Sequence, residues 1–176
     1  MNHPSAAITL AVICLAVQGL PSQVLAHEGL VHEGCATGQT FTAGDLEISG
    51  AFTRATLPAA KVGGGYFTVE NRGVTPDLLL GGTSEAVEAV QIHQMEMVGD
   101  VMKMGRVEGG LQIPAGETVT LVPDGLHLMM IGIRTPFAEG ECVEVTLQFE
   151  QAGEVSVLLN VGGMAADAAP EGHAHH

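Results

Sequence analysis

Two stretches concentrate the side chains most capable of chemistry. HQMEMVGDVMKM, from His93 to Met104, holds one histidine and four methionines, and LHLMMIGIR, from Leu126 to Arg134, adds His127, Met129 and Met130. Residues two apart on an extended strand project to the same side, so His127 and Met129 share a face with Ile131 and Ile133. The same parity puts His93, Met95 and Met97 on one face of the earlier stretch. A tight turn at Gly99-Asp100 would pair Met97 with Met102 and Met95 with Met104, setting Met104 diagonally beside His93. Were Val98 part of the loop, a slip of one residue would send Met104 to the opposite face.

Imidazole beside thioether suits Cu(I), a soft ion satisfied by a few nitrogen and sulfur donors, whereas carboxylate-rich sites suit harder ions. A thioether needs no deprotonation and forms no disulfide, so it can ligate copper where free thiols would be oxidised. Zinc prefers His, Cys or carboxylate to a pair of thioethers. The same residues also suit plain packing, since methionine fills irregular gaps in a core and a histidine on an apolar strand is commonly just hydrogen-bonded. Spacing alone leaves copper binding and core packing open. No Ser-His-Asp set, carboxylate pair or phosphate loop stands out, so a hydrolytic enzyme has no support.

The elements that must position these residues are short strands. Aromatics make up 3% of the 176 residues, Trp is absent and Gly numbers 24, so the core draws on Val, Leu, Ile, Ala and Met. Alternating runs recur between turn signals from Phe41 onward, the pattern of a single-domain, all-β antiparallel sandwich or barrel over residues 41–161. DLEISGAF puts Leu46, Ile48 and Phe52 on one face, and GGGYFTVENRG follows as a second strand. Val143, Val145, Leu147 and Phe149, then Val155, Val157, Leu159 and Val161, form a closing strand pair joined by EQAGE as a hairpin. SEAVEAV is compatible with a helical turn, and no long helix is expected.

Residues 1–26 read as a secretory signal, with the apolar run ITLAVICLAVQGL and the small-residue ending Val24-Leu25-Ala26. No Lys or Arg precedes the apolar run, and no Cys follows the expected cut as a lipid anchor would require. The run is too short for a transmembrane helix. Export by a cleaved signal into a periplasmic space, without stable membrane insertion and with a mature start at His27, is the expectation. Residues 27–40 form a polar lead containing His27 and His32, and residues 162–176, GGMAADAAPEGHAHH, read as a disordered tail. The net charge of −14 and only six Lys and Arg exclude a nucleic-acid partner, which needs a basic face. Cys14 leaves with the signal, so Cys35 and Cys142 most simply form one disulfide in an oxidising compartment; a thiol pair for copper or redox chemistry would want closer spacing.

At this point the sequence resembles a known family, the periplasmic copper chaperones of the PCu(A)C type. That family's mark is a His, ten residues, a Met, about twenty-one residues, then His-x-Met. This chain has His93, ten residues, Met104, twenty-two residues, then His127-Leu128-Met129. The extra residue can sit at Gly109-Gly110, in a turn. The likeness extends through SGAFTRATLPAAKVGGGYFTVENRG, VMKMGRVEGGLQIPAGETVTLVPDGLHLMMIGI and the closing strand pair, roughly residues 42 to 161. It implies a cupredoxin-like β-barrel that holds one Cu(I) with His93, Met104, His127 and Met129. It also implies delivery of copper for respiratory oxidase assembly, to an oxidase subunit or another copper chaperone. Met104 then faces His93, and Met95, Met97, Met102 and Met130 are expected to pack around or beside the site.

The ends carry a possible secondary metal set: His27 and His32 in the lead, and Met164, His173, His175 and His176 in the tail, for Cu(II). A histidine at a free N-terminus can chelate through its amine and ring, and the tail looks like the metal-binding extensions of some family members. An unstructured solubilising tail is the equal alternative. A blue-copper carrier would need a thiolate beside its histidines, and Cys142 in ECVEV has no neighbouring His or Met. The enzymatic rival is a copper-dependent redox enzyme built on His27, and a metal-free adhesive or structural β-domain is the third reading. The default expectation is a non-enzymatic monomer.

Overall fold

The computed structural model describes residues 31–33 and 35–170. Every regular element among them is a strand: β1 (Val31–Glu33), β2 (Thr40–Ala43), β3 (Leu46–Arg54), β4 (Val62–Asn71), β5 (Asp77–Thr83) and β6 (Ala89–Val98) in the first part. β7 (Val101–Arg106), β8 (Leu111–Ile113), β9 (Thr118–Leu121), β10 (Leu126–Ile131), β11 (Glu141–Phe149) and β12 (Gly153–Gly162) complete the order. The SEAVEAV segment is a turn between β5 and β6 rather than helix: Ser84 Oγ accepts the Ala86 N–H and donates to the Glu144 carbonyl, which pins the bend.

Strand pairing runs β11, β12, β3, β4, β10, β6, β5, and β5 pairs again with β11, so the sheet closes on itself as a barrel. The remaining strands hang on this ring, β2 on β3, β9 on β4, β7 on β6, β8 on β5 and β1 on β11. All pairings are antiparallel except β3 with β12, which is parallel, so the sheet is mixed where local alternation suggested a purely antiparallel one. The closing hairpin behaves as its alternation predicts: Val145 opposes Val157, and Val143, Val145, Leu147, Val157, Leu159 and Val161 are all buried. Their side chains meet Ile48, Phe67, Val69, Leu128 and Met130 in one core.

Two irregularities break simple parity, and both matter to the site. Between Ser49 and Phe52 three steps along β3 match two along β4, a bulge centred on Gly50, whose φ is 62°. The extra residue hands the core side to Ala51 and turns Phe52 to the other face of the strand, where it stays buried with its ring 4.9 Å from that of Tyr66. Phe52 therefore does not share the face of Leu46 and Ile48. Similarly, Gly132 at φ 73° redirects the chain after β10, so Ile133 is buried in the core instead of sharing the face of His127 and Met129.

The ends are more structured than their composition suggests. The polar lead contributes β1, in which Val31 pairs with Val143 and His32 with Cys142. Cys35 is joined to Cys142 by a disulfide across 107 residues of sequence. After β12, where disorder was expected, the Arg54 side chain donates to the Ala166 carbonyl at 2.8 Å and pairs with Asp167 at 2.9 Å, holding a turn against β3. The signal segment, His27, Glu171, His173, His175 and His176 lie outside the described residues.

Candidate metal centre

The register of neighbouring strands assembles the site. On the outer face of the sheet, β4, β10, β6 and β7 lie side by side. His127 on β10 is directly opposite His93 on β6, and the two ring centroids are 6.0 Å apart. The β6–β7 hairpin turns at Gly99-Asp100 with φ 65° at Gly99, as a two-residue loop requires. Met95 thereby opposes Met104, Met97 opposes Met102 and His93 opposes Arg106. Met104 falls diagonally beside His93. Met129 lies between Gln91 of β6 and Gly64 of β4.

A cavity of about 240 Å³ opens on this face, lined by Tyr66, Met95, Met104, Asp124, His127 and Met129 among others. Gly64 keeps one wall open to Tyr66: a Cβ there would run into the Tyr66 ring and hydroxyl. The bulge of β3 at Gly50 supports Tyr66 from behind with Phe52, and the Arg54 guanidinium lies over its ring at 5.9 Å. Burial holds the Tyr66 hydroxyl above its ordinary pKa, against the opposing pull of Arg54, so it stays protonated.

Each imidazole has one nitrogen tied and one free. The Gly125 carbonyl accepts a hydrogen bond from His127 Nδ1 at 3.0 Å, which fixes the proton there and leaves the Nε2 lone pair bare. The same carbonyl accepts the Met95 N–H at 3.1 Å, so one backbone group links the β9–β10 turn to both strands. Asp124, at φ 62° the sole non-glycine residue with positive φ among the described residues, shapes that turn. His93 Nε2 is 3.0 Å from Gln91 Oε1 and donates to it. His93 Nδ1 is buried with no hydrogen-bond partner. Burial lowers the pKa of His93, with electrostatic contributions from the neighbouring His127 and Arg106 in the same direction, so the ring favours the neutral form whose lone pair can bind a metal.

Among the described residues no group of three or more His, Cys, Asp and Glu is placed to hold a metal ion. Thioethers stand beside the two imidazoles on this face, a donor combination that suits a soft ion. The four positions that the family resemblance implies, His93, Met104, His127 and Met129, are brought onto one face. The remaining methionines divide. Met130 is fully buried in the core and Met95 lines the cavity, but Met97 and Met102 are exposed rather than packed. Of the secondary set, His32 lies on β1 and Met164 is exposed in the turn after β12. Cys142 is held in the disulfide and offers no thiolate to the histidines.

Gln91, Gly125 and Tyr66 join the site without having stood out in the sequence. Gln91 carried a signal, since it shares the parity of His93; the glycine run before Tyr66 was a second, marking close backbone approach.

Architecture and site together define a cupredoxin-like β-domain of the PCuAC class. The copper-bound PCuAC domain from PmoF2 is similar at 28% identity with a TM-score of 0.61, covering 71% of this chain and 98% of that one. The apo form of the same domain matches at 29% identity and TM-score 0.64, covering 74% of this chain and all of that one. The solution structure of Cu(I)-bound DR1885 from Deinococcus radiodurans matches at 27% and 0.52, covering 72% of this chain and 81% of that one. Residues 46–161 match the family model described as "Putative lipoprotein LpqE-like", and the chain belongs to that family. A relative from Leifsonia xyli subsp. xyli (strain CTCB07), "Putative lipoprotein Lxx21020", is 32% identical over 93 residues. That match spans 53% of this chain and 56% of the relative.

Proposed function

We propose that this chain is an exported, periplasmic copper metallochaperone that holds one Cu(I) with His93, Met104, His127 and Met129. The observation that carries the reading is the opposed pair His93 and His127, each with one ring nitrogen committed to an oxygen acceptor and the other unencumbered, on a face shared with two thioethers. Outer-sphere acceptors of this kind are what orient metal-ligating histidines. Copper-bound relatives with the same fold support copper as the cargo. Neutral thioethers and imidazoles favour Cu(I) over Cu(II). Delivery toward respiratory oxidase assembly, with an oxidase subunit or a second chaperone as acceptor, is the destination that the PCuAC resemblance implies.

Replacing His127 and Met129 together by Ala is expected to weaken Cu(I) retention against a chelator by at least ~100-fold, more than loss of an outer-sphere partner costs. An unchanged affinity would overturn the site. Delivery is tested by mixing the loaded protein with isolated oxidase copper-site domains and following the acceptor spectrum. Copper staying with the donor in every case would remove that destination.

A further inference from the structure

The β6–β7 hairpin carries more methionine than the cavity site uses. Met97 is 60% exposed and Met102 46%, so neither fills a core, in contrast to the fully buried Met130. Burial is the usual reason for an apolar side chain to be retained, and it does not apply here. Among the described residues β7 pairs only with β6, outside the closed ring, so the barrel does not need these side chains for its packing.

Their placement is ordered. Met97 opposes Met102 and Met95 opposes Met104, so all four thioethers line the face that also bears His93. Cβ atoms of directly opposed residues lie about 4.5–5.5 Å apart and diagonal ones about 7–8 Å. Methionine is long and flexible enough to close those gaps, so the sulfurs of Met95, Met97 and Met102 can meet at one ion. Three neutral thioethers select a soft monovalent cation, Cu(I) or Ag(I), and offer little to hard divalent ions. Met95 also lines the cavity beside His127, Met129 and the half-exposed Met104, so the hairpin set and the cavity set adjoin.

We propose that the outer face of the β6–β7 hairpin is a second, weaker soft-metal site, where Met95, Met97 and Met102 take Cu(I) at the surface before it moves inward to the cavity. The inward step rests on the copper reading of the cavity; the thioether site does not. The movement is ligand exchange at constant oxidation state. Bonds from copper to the Met95, Met97 and Met102 sulfurs break as bonds to Met104, Met129 and the free imidazole nitrogens form. No electron is transferred and no proton is released, because every donor already presents a lone pair.

The test is the full chain, labelled with ¹³C at the methionine methyls and titrated anaerobically with Cu(I), and in parallel with Ag(I). The first equivalent is expected to shift the Met104 and Met129 methyls, and the second those of Met97 and Met102. Met97→Leu with Met102→Leu should lose the hairpin equivalent while keeping the first, with the buried Met130 methyl unmoved as the sign of an intact fold. Met97 and Met102 methyls that stay still at two equivalents would overturn the hairpin site, as would a double variant whose Met95 methyl still responds fully to the second. Shifts at Met97 and Met102 with Met104 and Met129 silent would support the hairpin site and instead remove the cavity reading.

Discussion

A histidine ligates through whichever ring nitrogen its surroundings leave bare, and here the surroundings are Gln91 and the Gly125 carbonyl. Gln91→Leu keeps the side chain's bulk and removes the acceptor for His93 Nε2. It is expected to lower Cu(I) affinity about 10–100-fold in chelator competition, with an unchanged fold. Acid should weaken binding because protons compete for the same lone pairs. The His93 pKa lies below the ordinary 6.5, so its protonation, and the affinity lost with it, sets in on the acid side of that value. A titration of Cu(I) affinity against pH checks this; affinity that rose on acidification would contradict an imidazole ligand. The pairing of His127 with Met129 on one face was legible because strand parity is a local property, readable from two-residue spacing. Gly125 was not, since its role is a carbonyl direction and leaves no trace in the residue type.

At the scale of elements, the site depends on the register of one hairpin. The two-residue turn at Gly99-Asp100 puts Met104 on the face of His93. Inserting one Gly after Asp100 is expected to flip Met104 to the opposite face and cost at least as much Cu(I) affinity as Met104→Leu. The thermal midpoint should change little, because β7 stands outside the ring. Calorimetry beside chelator competition separates these two outcomes, and a large fall in midpoint would show that β7 supports the barrel. Gly-Asp between alternating apolar runs suggested this turn but left a one-residue slip open, which the family resemblance decided. The bulge at Gly50 could not be read, and with it went the placement of Phe52. A bulge shows itself as a mismatch between two strands, whereas the sequence of one strand merely contains a glycine. The redirection at Gly132 misplaced Ile133 for the same reason.

At the scale of the whole molecule, closure of the barrel rests on contacts distant in sequence. β5 against β11 completes the ring, and the disulfide from Cys35 to Cys142 fastens the lead to β11. Asp77, buried at the start of β5, accepts backbone N–H bonds from Leu78, Gln151 and Ala152 and so ties β5 to the closing hairpin. Asp77→Ala leaves those donors unpaired and is expected to cost about 1–3 kcal/mol in denaturant unfolding. Cys35→Ser with Cys142→Ser should cost about 2–4 kcal/mol while leaving Cu(I) affinity intact, since neither sulfur approaches the metal face. Repeated alternation made an all-β domain legible. The parallel β3–β12 pairing and the ring closure were not, because long-range partners are chosen by the assembled core rather than by any local pattern. The proposed function requires imidazoles and thioethers on one face of this barrel to share a copper ion. X-ray absorption at the copper edge, on protein loaded with one equivalent of Cu(I), tests it directly. The predicted result is a shell of mixed nitrogen and thioether sulfur that loses sulfur in Met104→Leu with Met129→Leu. A shell of nitrogen and oxygen alone, or one indifferent to those substitutions, would contradict it.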